Sequence, residues 1–173
     1  MQSAHITNKG MYELLDVFGP TVAFLTPLPD KNAVYCVMHG TIPAGVSVPL
    51  HSHPDDESFY ITSGVVQVLI QEENEFKWVE MKTGDFVHVK GGRKHAWRNI
   101  SDKPVEGLIT TTSELGNFFR EVGRPVKPGT EFSPPTPDQL QYFMQVADKY
   151  DHWLGSPEEN AAVGISVLPE VKL

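Results

Sequence analysis

The stretch His-Ser-His-Pro-Asp-Asp-Glu, at residues 51–57, places two histidines and three carboxylates close together in a chain that has seven histidines. Side chains alternate between the two faces of a β-strand, so a strand here would project His51 and His53 from the same face. Glu57 opens an apolar run that includes Phe59. An ionised carboxylate on such a face requires a compensating charge, and a divalent cation would supply it.

A second segment, residues 85–99, predicts a hairpin in which a strand, a glycine-rich turn and another strand follow in order. If this hairpin packs across from the first stretch, four side chains supply three nitrogen donors and one oxygen donor: His51, His53, His95 and Glu57. Such a set suits iron, manganese, nickel, cobalt, copper or zinc. We therefore predict one divalent transition metal per chain, with open positions that serve chemistry rather than structure. The competing interpretation is that these imidazoles are polar core residues satisfied by hydrogen bonds.

The surrounding sequence predicts an all-β fold. Runs rich in β-branched and aromatic residues are separated by turn sequences, and they lie at residues 22–25, 33–38, 65–70, 76–79, 86–89 and 105–109. Many short strands at this spacing are typical of a closed or sandwiched antiparallel barrel. The pairs Ser63-Gly64 and Gly91-Gly92 mark turns that are expected to need a positive φ.

The composition is that of a soluble globular protein of 173 residues, with 40% hydrophobic and 21% charged residues. Against 22 acidic residues there are 14 lysines and arginines, which gives a net charge of −8 and disfavours nucleic acid and membrane surfaces as partners. The single cysteine, Cys36, excludes an intrachain disulfide and is interpreted as a small core residue. The first residues lack a signal-peptide pattern, so we expect a cytoplasmic protein.

The C-terminal third predicts helices. Residues 114–123 suit a short helix that ends at Gly123, and after a proline-rich connector Thr136 and Pro137 suit the start of a second one. The second helix carries an apolar stripe that would pack on the barrel or on a second subunit of a homodimer. Its members are Leu140, Phe143, Met144 and Ala147. Residues 165–168 are predicted to add an edge strand, and no function is predicted for His5 or His152.

Two longer patterns frame the predicted ligands. They are Gly45-x5-His51-x-His53-x3-Glu57-x6-Gly64 and Gly84-x5-Lys90-x-Gly92-x2-His95-x3-Asn99. The first resembles the first cupin motif at every fixed position, and the second resembles the second motif except that Lys90 stands where the family usually has proline. The resemblance implies a cupin (RmlC-like) β-barrel or jelly roll with a short C-terminal helical extension. Residues 1–173 would form a single cupin domain, with its metal-site core at about 33–112 and the helical extension at about 114–155.

Within the cupins, the single pair of motifs and the segment 118–123 are similar to the quercetin-dioxygenase-like proteins. This resemblance implies an oxygenase that acts with O2 on a small aromatic or enolisable substrate, with Glu57 as both metal ligand and catalytic base. Phe59 shares a face with Glu57, and Trp97 shares one with His95, so the two rings could wall the substrate pocket. Ordinary barrel core is the competing interpretation of both rings.

Two other functions stay open, because cupins carry many chemistries. One is a non-catalytic cupin that binds a metal or another small molecule, which the absence of turnover would indicate. The other is a metal-assisted isomerase, decarboxylase or lyase, which would form its product without dioxygen. Asp55 and Asp56 are interpreted as loop residues that favour the turn between the two strands.

Overall fold

The computed structural model describes residues 5–8, 10, 12–27, 33–72, 75–127, 129–130 and 133–166. In these ranges the chain forms twelve strands and three helices. The strands are β1 (Leu14–Asp16), β2 (Thr21–Phe24), β3 (Tyr35–Ile42), β4 (Ser47–Ser52), β5 (Glu57–Ser63), β6 (Val65–Glu72), β7 (Glu75–Lys82), β8 (Phe86–Val89), β9 (His95–Arg98), β10 (Val105–Thr112), β11 (Arg124–Val126) and β12 (Trp153–Leu154). The helices are α1 (Ser113–Val122), α2 (Pro137–Lys149) and α3 (Pro157–Ala162).

The strands form two antiparallel sheets. The seven-stranded sheet has the order β11-β1-β2-β3-β10-β5-β8, and the five-stranded sheet has the order β12-β4-β9-β6-β7. The two sheets pack through an apolar cluster that consists of Ile61, Val66, Val68, Met81, Trp97 and Val105. This arrangement confirms the predicted all-β, cupin (RmlC-like) jelly roll, in which alternate residues of each strand face the interior.

Two of the turn glycines adopt the predicted positive φ: Gly64 at 89° and Gly92 at 75°. Gly91 is required for a different reason, because a Cβ atom there would lie 1.9 Å from the backbone oxygen of Pro54. The turn also closes normally at Lys90, whose carbonyl accepts a hydrogen bond from the backbone N–H of Arg93. The family's usual proline is therefore not needed to form this turn.

The predicted C-terminal helices are present. Helix α1 is followed by Gly123, and α2 begins with a capping box in which Thr136 and Gln139 bond reciprocally and a proline occupies the first turn. The helices pack on each other through Leu115, Phe118, Val122, Val146 and Ala147. The stripe of α2 is thus partly buried against α1, whereas Met144 is 63% exposed. The homodimer stays a prediction.

The segment after α2 covers the outer face of the five-stranded sheet. Strand β12 pairs with β4, and the buried side chain of Asn160 accepts a hydrogen bond of 2.8 Å from the backbone N–H of Leu50. Ile165 packs against Leu50 and lies outside any strand, as does Ser166. The predicted edge strand is therefore wrong for these two residues, while 167–168 fall outside the described ranges. No helix in the described ranges is both long and apolar enough to cross a membrane.

Candidate metal centre

Strands β4 and β9 place His51 and His95 directly opposite each other. The register pairs Val48 with Trp97 and His51 with His95. The two paired residues are three positions apart on β4 but two positions apart on β9, so β4 carries one extra residue. Such a β-bulge changes the alternation of side chains along the bulged strand. It lets His51 share the inner face with Val48, which packs in the core between the sheets.

Glu57 reaches the same place from the other sheet. It is the first residue of β5 and lies beside Thr111 of β10 in the seven-stranded sheet. Its Oε2 atom is 3.5 Å from Nε2 of His53 and 3.8 Å from Nε2 of His95. Glu57 and His53 are each 3% exposed. The structure therefore brings together all four side chains that the sequence pattern singled out.

Two of the three imidazoles, those of His51 and His95, are oriented by nearby backbone carbonyls. The ring nitrogens nearest one another in His51, His53 and His95 lie within 4.8 Å, the spacing at which one ion could be shared. Nδ1 of His51 lies 2.8 Å from the Pro49 carbonyl, and Nδ1 of His95 lies 2.9 Å from the Arg93 carbonyl. A carbonyl oxygen can only accept, so Nδ1 carries the proton and Nε2 keeps a free lone pair in both rings.

The buried side-chain nitrogens and oxygens that lack a hydrogen-bond partner, within the described ranges, are confined to this cluster. They are His53 Nδ1, His53 Nε2, His95 Nε2 and His152 Nε2. Leaving a buried polar atom unsatisfied costs about 1–3 kcal/mol. A cation bound between Glu57 and the imidazoles would engage lone pairs that no other described residue satisfies, so the donor set fits a transition metal.

Burial and mutual interactions shift the pKa values of the carboxylate and the imidazoles in this cluster. Burial raises the pKa of Glu57, but the attraction of the nearby His53 and His95 imidazoles outweighs it and lowers the pKa to about 2. Burial, and then the neighbouring His95 and His53, lower the pKa of His51 well below its ordinary value. Burial also lowers the pKa of His53, but the Glu57 carboxylate outweighs it and the net shift is upward. Glu57 is thus ionised and His51 neutral, as metal ligands must be.

Phe59 and Trp97, predicted as pocket walls, contact each other with ring centroids 4.3 Å apart. Trp97 is 3% exposed and belongs to the core cluster, against which Phe59 also packs. Their role toward a substrate stays a prediction. The loop carboxylates have structural partners: Asp55 accepts a hydrogen bond from the Thr112 hydroxyl, and Asp56 accepts one of 2.8 Å from the Gly91 backbone.

One histidine at the cluster was not anticipated from the sequence. The ring of His152 lies 5.3 Å from that of His53 and 4.0 Å from that of Phe118, measured between centroids. Burial, followed by the neighbouring His53, lowers the pKa of His152 to about 4. No short-range spacing connects His152 to either motif, because its position depends on the pairing of a two-residue strand, β12, with β4.

Two cavities lie elsewhere on the molecule. One, of about 280 Å³, is lined by Phe18, Arg124 and Tyr142 among others, near the junction of α1 and α2. The other, of about 230 Å³, is lined by Tyr35, Asp56 and nearby threonines. Neither is lined by His51, His53, Glu57 or His95, so both cavities are separate from the candidate metal centre.

The central part of the chain is similar to a known domain family. Residues 38–111 match the Cupin domain family, a range that contains all four predicted ligands. An RmlC-like cupin from Shewanella frigidimarina NCIMB 400 aligns with 65% of this chain and 93% of its own, at 18% identity and a TM-score of 0.52. KdgF from Halomonas sp. aligns with 64% of this chain and 94% of its own, at 14% identity and a TM-score of 0.53. The chain therefore contains a region similar to the Cupin domain family, and it shares its fold with these two structures.

A more particular similarity is found at the sequence level. The chain is 30% identical over 86 residues to the dimethylsulfoniopropionate lyase DddQ of Ruegeria pomeroyi. The matched region is 50% of this chain and 39% of that protein, so the chain aligns with about two fifths of its relative's length. The resemblance to quercetin-dioxygenase-like proteins stays a prediction.

Proposed function

We propose that His51, His53, His95 and Glu57 bind one divalent transition metal, chosen from iron, manganese, nickel, cobalt, copper and zinc. The observation that supports this most directly is the set of buried, unpartnered imidazole nitrogens beside a buried carboxylate. Three nitrogen donors and one oxygen donor leave positions on a six-coordinate ion free for a ligand. When bound, the metal would act as a Lewis acid toward an anionic oxygen of that ligand.

Within this site we propose Glu57 as a ligand of the metal. Its lowered pKa keeps the carboxylate ionised near neutral pH, as a metal ligand must be. His51 and His95 hold their rings through Nδ1 contacts to backbone carbonyls, which fixes the direction of each Nε2 lone pair. The role of Glu57 as catalytic base, which the quercetin-dioxygenase resemblance implies, stays a prediction.

We further propose that the reaction is a metal-assisted lyase or decarboxylase reaction on a small carboxylate. Support comes from the relative that is 30% identical over 86 residues, which is a lyase named for dimethylsulfoniopropionate, a small carboxylate. The similarity extends over half of this chain and 39% of the lyase, so the rest of the lyase has no counterpart in the alignment. A carboxylate oxygen is also a suitable ligand for a hard or borderline divalent metal.

The test has two stages. Elemental analysis of the protein purified without added metal gives the metal and its ratio to the chain, expected to be close to one. The protein loaded with each metal in turn is then incubated under nitrogen with dimethylsulfoniopropionate, and proton NMR follows the loss of substrate. Loss of substrate that needs both the metal and His95 supports the proposal. A fully loaded protein that leaves this and a panel of small carboxylates unchanged contradicts the lyase assignment.

A second candidate is the oxygenase. The observation in its favour is that Trp97 lies on β9 two residues after His95, which puts both on one face of the strand, and that Trp97 contacts Phe59. Oxygen uptake by the metal-loaded protein in the presence of a flavonol tests it. If the metal binds and neither substrate class is consumed, the non-catalytic binding function is the one that the results support.

A further inference from the structure

The C-terminal extension adds a fourth imidazole to the inner face of the five-stranded sheet. Strand β12 runs antiparallel to β4 with Trp153 opposite Ser52 and Leu154 opposite His51. Extending this register by one residue would place His152, which precedes β12, opposite His53, which follows β4. Directly opposed residues point to the same face, with Cβ atoms about 4.5–5.5 Å apart. The observed separation of 5.3 Å between the two ring centroids agrees with this placement.

Contacts from the two helices hold His152 in place. Its ring lies against Phe118 of α1 at 4.0 Å between centroids and an interplanar angle of 35°. Its backbone N–H donates a 2.8 Å hydrogen bond to the carbonyl of Ala147 in α2. Asp151, just before it, adopts a φ of 55°, which turns the chain from the end of α2 into β12. The imidazole is therefore held by packing and by a backbone turn, as a preorganised site residue must be.

The Nε2 atom of His152 is buried and has no hydrogen-bond partner among the described residues. It shares this condition with Nε2 of His53 and of His95, whose partner would be the metal. His152 is outside the group of three imidazoles close enough to share one ion. The Nε2 atom of His152 therefore needs a hydrogen-bond partner other than the metal. Because the ring lies next to His53, that partner would lie beside the metal centre.

We propose that His152 is a specificity-determining residue of the metal centre, and that its Nε2 atom hydrogen-bonds to a small anionic oxygen ligand, of the carboxylate class, bound beside His53. The inference rests on the proposed metal centre. A divalent cation attracts an anionic oxygen, and an imidazole N–H is a suitable donor to that oxygen. The rival role is that of a support for His53, in which His152 would contribute to metal affinity and not to ligand affinity.

The two roles are separated by measuring metal and anion binding independently on the full chain. Cobalt(II) provides a visible absorption band that reports both its own binding and a change of ligand at the ion. Titration with cobalt gives the metal affinity, and titration of the cobalt-loaded protein with acetate gives the anion affinity. Two variants are compared with the wild type. His152→Phe keeps a ring against Phe118 and removes the nitrogens, whereas His152→Gln offers an amide near the position of Nε2.

We expect His152→Phe to change the cobalt affinity by less than about threefold and to weaken acetate binding about tenfold, the effect of one lost hydrogen bond. His152→Gln should recover most of the acetate affinity. The matched control is His39→Phe, because His39 lies on β3 in the other sheet, paired with Glu106 at 3.8 Å. It should leave both affinities unchanged. Circular dichroism shows whether His152→Phe folds. If it does not, His152→Ala takes its place as the variant without the imidazole and is compared with His152→Gln.

Three results would overturn the inference. Equal acetate affinity in the wild type and in the variant that lacks the imidazole would show that His152 does not contact the anion. A parallel loss of cobalt affinity would assign His152 to the support of His53. If the cobalt-loaded wild type shows no spectral response to acetate, the inference about His152 is also overturned, although the proposed metal centre is not. Failure of the wild type to bind cobalt would instead contradict the proposed function itself.

Discussion

Oε2 of Glu57 lies 3.5 Å from Nε2 of His53, although Glu57 opens a strand of the seven-stranded sheet and His53 directly follows a strand of the five-stranded sheet. The turn Pro54–Asp56 is all that separates the two residues in the sequence. The chain therefore crosses from one sheet to the other within the predicted ligand set, and both side chains face the interior between the sheets. This crossing explains how a short segment can surround an ion from two sides.

Replacing Glu57 with glutamine removes the negative charge and keeps the shape of the side chain. Because the carboxylate is the single anionic donor among the four predicted ligands, we expect the metal affinity to fall by at least about tenfold. Competition with a chromophoric chelator measures the change. Glu106→Gln is the matched control, since Glu106 lies on the outer side of β10 beside His39. An unchanged affinity in Glu57→Gln would remove the carboxylate from the ligand set.

Metal binding should stabilise the fold, because the unfolded chain does not hold the four donors together. At a free metal concentration 100 times the dissociation constant, the gain is about 2.7 kcal/mol. Differential scanning fluorimetry with zinc, and again after a chelator, should show a melting temperature that rises and then falls. In His95→Gln the rise should be much smaller. An equal rise in this variant and in the wild type would mean that the metal binds elsewhere.

Cys36 should react slowly with alkylating reagents in the folded protein. Burial, and then the charges of Glu57 and Asp55, raise the pKa of its thiol from 9.0 to about 11. At pH 8 this shift lowers the thiolate fraction about 100-fold relative to the unfolded chain. The rate of reaction with iodoacetamide, measured by mass spectrometry in buffer and in urea, tests the expectation. Since Cys36 is the single cysteine, the site of labelling is unambiguous.

The same shift predicts a pH dependence of stability. The folded-state pKa is the higher one, so the contribution of the thiol to stability is complete below pH 9 and decreases as the pH rises toward about 11. Urea unfolding of the wild type and of Cys36→Ala should therefore differ less at the upper end of that window than below it. A native alkylation rate equal to the rate in urea would contradict both expectations.

Gly91→Ala should disrupt the metal centre through the backbone. The added methyl group would lie 1.9 Å from the Pro54 carbonyl oxygen, so the turn after β8 and the loop after β4 would have to separate. Overpacking of this kind costs about 1–3 kcal/mol. We expect a lower free energy of unfolding and weaker metal binding, measured by urea unfolding and by chelator competition. Lys90→Ala in the same turn is the control, because its side chain is exposed. Wild-type behaviour of Gly91→Ala would show that the close approach is not required.

Much of the fold and the ligand set could be predicted from local patterns. His51, His53 and Glu57 lie within one short segment, and the glycines that bound each motif specify turns whose backbone few other residues adopt. Thr136 and Pro137 indicated the start of a helix for a similarly local reason, the satisfaction of free backbone N–H groups. The β-bulge between Val48 and His51 was not predicted, because it is a property of the pairing between β4 and β9.

The sequence by itself determined which residue types could hold a metal and at what spacing, because strand alternation and turn chemistry act over a few residues. Only the tertiary structure decided that His95 meets His51 across a ladder, that Glu57 approaches from the opposite sheet, and that His152 joins them. These meetings depend on hydrogen-bond register between strands distant in the chain and on the packing of helices α1 and α2. Such long-range contacts leave no periodic signal near the residues they bring together.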